Sequence, residues 1–95
     1  MQILSSKEKR NFIAKAHHLK PVVILGQKGL TEPVLAEIDI ALSHHELIKI
    51  KIANAEDKAE RKAICQQIAE TSAAEFLNLV GNIGIFYRKK PEQQA

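Results

Sequence analysis

Apolar and polar positions change period several times along this chain, and each change marks an element. Ser5 followed by Glu8 is a capping-box pattern, and Phe12, Ile13, Ala16 and Leu19 then recur at helical spacing. This predicts a first helix from about Ser6 to Leu19 with a basic outer face. Pro21 ends it, because a proline pushes the residue before it out of the α region. Val22-Val23-Ile24-Leu25 is a short unbroken apolar run rich in β-branched residues, which predicts a strand covered on both faces. Gly26-Gln27-Lys28-Gly29 interrupts it. Thr31 then caps a second helix that tolerates Pro33 in its first turn and carries Val34, Leu35, Ile38, Ala41 and Leu42 on one stripe.

The cleanest alternation runs from His45 to Ile52. Ile48, Ile50 and Ile52 point one way and Leu47, Lys49 and Lys51 the other, so this strand is half-buried. A third helix begins at Asn54 or Ala55, with Ile64, Cys65, Ile68, Ala69, Ser72 and Ala73 inside and Lys58, Glu60, Arg61 and Lys62 mostly outside. Two further strands, Phe76 to Val80 and Ile83 to Tyr87, are joined by Gly81-Asn82, a hairpin signal. The expected fold class is α+β in the order α-β-α-β-α-β-β. Helical crossovers make its four-stranded sheet mixed.

With 95 residues, 45% of them hydrophobic, the chain holds one core and no second domain. We expect a single domain over residues 1–90 and a polar tail over 91–95. No apolar run is long enough to span a bilayer. The charged MQILSSKEKR start is unlike a secretory leader, and the single cysteine, Cys65, suits a reducing compartment, so a cytoplasmic location is expected. The net charge of +3 hides a sorted distribution. Residues 1–30 carry six basic side chains and one acid, whereas residues 31–48 carry four acids and no Lys or Arg. Basic segments of this kind make either a solvated surface or a polyanion-binding face.

Two places are candidates for the second, although two glycines also suit any strand-to-helix turn and lysines also keep an exposed sheet face soluble. Gly26-Gln27-Lys28-Gly29 lies between a strand and a helix N-terminus, where glycines permit close backbone approach and free N–H groups favour a phosphate. A G-x-x-G loop in that setting is how KH-type modules clamp a nucleic-acid backbone. Lys49 and Lys51 share one strand face about 7 Å apart, close to the spacing of successive phosphates. A sheet with helices on only one side would leave this face open to a partner. Four aromatic residues are too few for an extensive base-stacking platform. The adjacent pairs His17-His18 and His44-His45 lack the spacing of three or four that a metal shared on a helix requires, so no metal site is expected. Neither a nucleophile elbow nor a Walker motif is present. No enzyme, cofactor or small-molecule substrate is expected.

Several segments together resemble the CRM domain, an RNA-binding module. They are Ala16-His17-His18-Leu19-Lys20-Pro21, Ile24-Leu25-Gly26-Gln27-Lys28-Gly29-Leu30-Thr31, Ala41 through Lys51, and Gly81 with Phe86-Tyr87-Arg88. The stand-alone length is similar to the bacterial YhbY family. Leu25 and Phe86 depart from residues common in that family, away from the expected contacts. The resemblance implies a fold similar to the C-terminal domain of bacterial translation initiation factor three with an added N-terminal helix. It also implies binding to ribosomal RNA in assembling large (50S) subunits. By carry-over, Gly26, Gln27, Lys28 and Gly29 form the RNA-backbone loop, supported by Lys20, Lys49, Lys51 and Arg88. The alternative is a protein-interaction adaptor that uses the acidic second helix, with Glu32, Glu37 and Asp39, and the open sheet face.

Overall fold

The computed structural model describes residues 4–90, and the expected tail at 91–95 lies outside them. Seven elements follow in order: α1 (Ser6–Ala16), β1 (Val23–Leu25), α2 (Glu32–His45), β2 (Leu47–Ile52), α3 (Lys58–Thr71), β3 (Glu75–Val80) and β4 (Ile83–Tyr87). They form the α+β fold expected, with one mixed sheet in the order β1-β2-β4-β3. β1 runs parallel to β2, and β4 is antiparallel to both of its neighbours.

Local chemistry explains the boundaries. Ser5 and Glu8 exchange backbone and side-chain hydrogen bonds in a complete capping box, and those bonds hold the Glu8 carboxyl below its usual range. α1 stops at Ala16, three residues short of the expected Leu19: the N–H groups of His17, His18 and Leu19 donate to carbonyls three residues back, so the chain tightens out of the α-helix. α3 starts at Lys58 rather than at Asn54 or Ala55, since Asp57 Oδ1 accepts from Glu60 N–H at 2.8 Å and so supplies the N-cap. At its other end Ala73 takes a left-handed conformation, φ 52°, and Ala74 N–H donates back to the Ala69 carbonyl. That is the Schellman closure with alanine in the usual glycine position. Gly81, φ 60°, opens the two-residue link between Val80 and Ile83, as a type II′ hairpin demands of its first central residue.

The sheet has two unlike faces. On one, Val23 and Leu25 of β1, Ile48, Ile50 and Ile52 of β2 and Phe86 of β4 pack against Ile38 and Leu42 of α2 and Cys65 and Ile68 of α3, all buried. Gly84 belongs to this face, and a Cβ there would sit 2.8 Å from the Phe86 ring and 2.9 Å from Cys65 Sγ. Burial also pushes the Cys65 thiol up to about 11. The other face carries Ile24, Lys49, Lys51, Ile83, Ile85 and Tyr87, and the expectation that it lies wholly open is corrected. α1 packs on it, with Phe12 stacked on Tyr87 at 4.1 Å between ring centroids. β1 is covered on one face only, against expectation: it is an edge strand beyond the reach of α1, and Ile24 is left 63% exposed. No helix among the described residues is long and apolar enough to cross a membrane.

Candidate functional site

The G-x-x-G segment forms a four-residue turn at the carboxyl end of β1, closed by Gly29 N–H donating to the Gly26 carbonyl at 3.0 Å. Gln27 and Lys28 stand exposed at its tip. Thr31 then caps α2, with its hydroxyl accepting from Val34 N–H. The carboxyl ends of parallel strands beside helix N-termini are where open α/β sheets characteristically present ligand sites.

The two glycines differ in what they do. Gly29 has φ 71°, a left-handed conformation that costs any other L-residue strain. Gly26 has no such conformation, and a Cβ built on it meets nothing within 4 Å. Folding therefore does not demand a glycine at position 26. Its missing side chain leaves open backbone beside the exposed Lys28.

Lys51 stands next to this turn, paired in register with Ile24, two residues before Gly26. The register places Ile24, Lys51, Ile83 and Val80 in one row across all four strands. This is the part of the face that α1 leaves most open: Ile24 and Val80 are 63% and 55% exposed, and Lys51 is exposed between them. Lys49 lies one row further from the loop and is half-buried, its Nζ donating to the Leu19 carbonyl at 3.1 Å. That bond ties the α1–β1 connection to the sheet and leaves two of the three ammonium hydrogens. Lys20 is exposed on the same connection. The four lysines thus follow the length of β1: Lys28 and Lys51 at the loop end, Lys49 and Lys20 at the other.

Arg88 does not join them. Its Nη1 donates to Asp39 Oδ1 at 2.7 Å and to the Ser72 carbonyl at 2.9 Å, and its Nη2 donates to the Asp39 carbonyl and Ser43 Oγ, both at 3.0 Å. All four terminal N–H bonds are committed within the fold, joining β4 to α2 and to the C-terminus of α3. Arg88 is thus a clamp within the fold, and the supporting RNA contact expected of it would compete with these four bonds. The pair also neutralises Asp39 of the acidic helix.

A groove of about 670 Å³ that the sequence does not foretell lies between α1 and the sheet, lined by Leu47 and Tyr87 and by Phe12 of α1. No pattern in the sequence shows which side of the sheet α1 will occupy.

The sequence model of the CRS1 / YhbY (CRM) domain matches residues 4–88. A curated protein of Haemophilus influenzae, named RNA-binding protein, is 48% identical over 92 residues, covering 97% of this chain and 92% of its own length. One of Pseudomonas aeruginosa, named Probable RNA-binding protein PA4753, is 42% identical over 89 residues, covering 94% of this chain and 85% of its own. The solution structure of a Staphylococcus aureus protein superposes with a TM-score of 0.83 at 26% identity, covering 97% of this chain and 95% of the other.

Proposed function

The chain belongs to the CRS1 / YhbY (CRM) domain family, and on that premise we propose that it is a non-enzymatic RNA-binding protein. In this reading it holds an RNA backbone at the turn formed by Gly26, Gln27, Lys28 and Gly29 and at the lysines along β1. The observation that carries the reading is the unobstructed Gly26 backbone beside exposed Lys28 and Lys51. A phosphate can approach the main chain there without meeting a side chain, while the ammonium groups supply the opposite charge. The relatives' names support RNA as the polyanion. The finer assignment is to ribosomal RNA of the assembling large (50S) subunit in the cytoplasm.

The test is the salt dependence of RNA affinity. Changing Lys28 and Lys51 to Gln together is expected to weaken binding and to reduce the slope of log affinity against log salt by about one for each phosphate no longer neutralised. An unchanged slope would remove both lysines from the interface. Sequencing RNA crosslinked to the protein in growing cells tests the finer assignment, which fails if crosslinks do not concentrate on large-subunit RNA. Associations that survive complete RNA digestion would instead favour an adaptor role for the acidic helix.

A further inference from the structure

The groove between α1 and the sheet has a composition that a packing defect does not explain. Its interior is apolar and aromatic, with Leu47, Phe12 and Tyr87 lining it, and its volume of about 670 Å³ lies within the range of small-ligand pockets. Lys15 and Lys20 also line it, Lys15 with its ammonium 5.7 Å from the Phe12 ring centroid. One carboxylate, that of Glu46, also lines it. Glu46 is the single residue between α2 and β2 and is held at φ 62°, ψ −48°, a positive-φ conformation that a glutamate adopts at a cost. The fold pins it there: Arg88 N–H donates to its carbonyl at 2.9 Å, and its Oε2 accepts from Lys90 N–H at 2.8 Å. Among the described residues its Oε1 takes no donor. Desolvation, with Glu46 and then Glu8 adding their negative charge, raises the Tyr87 phenol on the same wall.

Resting on the RNA-binding reading, we infer that this groove takes one unstacked guanine base of a single-stranded RNA, with Glu46 accepting from its Watson–Crick edge and Lys15 and Lys20 holding the flanking phosphates. Charge decides which part of a nucleotide goes where. A phosphate is repelled by Glu46 and attracted by the two lysines, whereas a base brings apolar surface to Leu47 and to the stacked Phe12–Tyr87 pair. Guanine alone among the four bases presents two adjacent N–H donors, N1–H and N2–H, to one carboxylate. Each carboxylate oxygen has a lone pair to spare beyond the bond from Lys90. Splayed single-stranded bases read on that edge are the usual targets of sequence-specific RNA recognition. A cationic side chain from a protein partner would suit Glu46 but would share the groove with Lys15 and Lys20.

The test compares short single-stranded RNAs of equal length: all uridine, and the same with one central guanosine or one central inosine, which lacks the N2 amino group. The guanosine oligomer is expected to bind the unaltered protein about tenfold more tightly than the all-uridine one, the scale of a good two-donor contact. Inosine is expected to fall between them. Glu46→Gln is expected to abolish the guanosine preference, whereas Lys28→Gln weakens both oligomers alike and preserves their ratio. Equal affinity for the guanosine and uridine oligomers overturns the inference and leaves the groove to a protein partner. A preference that survives in folded Glu46→Gln overturns it as well. Should Glu46→Gln fail to fold, the inosine oligomer with the unaltered protein decides: affinity equal to that of guanosine sinks the two-donor contact. Binding of none of the oligomers would overturn the RNA-binding reading itself, and this inference with it.

Discussion

The two faces of the sheet are made from the same four strands and are covered very differently. Behind β2, Ile48, Ile50 and Ile52 are sealed beneath α2 and α3, where even the volume of one methyl group is contested at Gly84. In front, alternate residues of the same strands meet a single short helix that covers part of the surface, and a row with Lys51 between exposed Ile24 and Val80 stays uncovered. Period-2 alternation lets one strand bury one face and expose the other, so that substitutions on one face need not disturb the other.

The contrast is broken most readily by truncation. Ile50→Ala is expected to cost about 2–5 kcal/mol in denaturant unfolding, from reduced burial and the cavity left behind. Ile24→Thr, on the adjoining edge strand, is expected to stay within about 0.5 kcal/mol. Equal destabilisation at the two sites would show that the front face is packed rather than open. A second pair separates two cations. Arg88→Gln is expected to lower stability by about 2 kcal/mol, since it abandons acceptors on α2 and α3, and to leave the salt slope of RNA binding intact. Lys51→Gln is expected to do the reverse, with little change in unfolding and a shallower slope. A shallower slope with Arg88→Gln would return that residue to the interface. The smallest effect belongs to the glycines of the turn: Gly29→Ala is expected to cost about 1 kcal/mol through its positive φ. Gly26→Ala is expected to unfold like the unaltered protein yet bind RNA more weakly. Normal binding by Gly26→Ala would deny the main chain its part in the contact.

Much of this is legible in the chain. The capping box at Ser5 and Glu8, the alternation through β2 and the Gly81-Asn82 link each encode their element within a few residues, and all three are present. What escapes depends on distant partners. The run Val22 to Leu25 is apolar enough for a buried strand, but only the sheet order reveals an edge that exposes Ile24. The stripe of Phe12, Ile13 and Ala16 announces that α1 is covered without saying by what, so neither its seat on Tyr87 nor the groove beside it is foreseeable. Arg88 stands in a basic run, and its acceptors Asp39, Ser43 and Ser72 lie 49, 45 and 16 positions away. The loop is recognisable from its glycines, but their division of labour requires their backbone angles and surroundings.

The placement of α1 and α2 on opposite sides of the sheet has a kinetic consequence. Lys7, Lys9, Arg10 and Lys15 ride on one helix and Glu32 and Glu37 on the other, so the sheet holds the two charge groups apart as a fixed electric dipole. In the field of a polyanion such a molecule experiences a torque before it makes contact, turning its lysine-bearing side forward. Mutual orientation is what ordinarily slows protein association below the diffusion limit. The acidic helix would then speed RNA capture without touching RNA: it makes the wrong approach repulsive, an advantage that appears in the association rate at low salt and fades as salt screens the field.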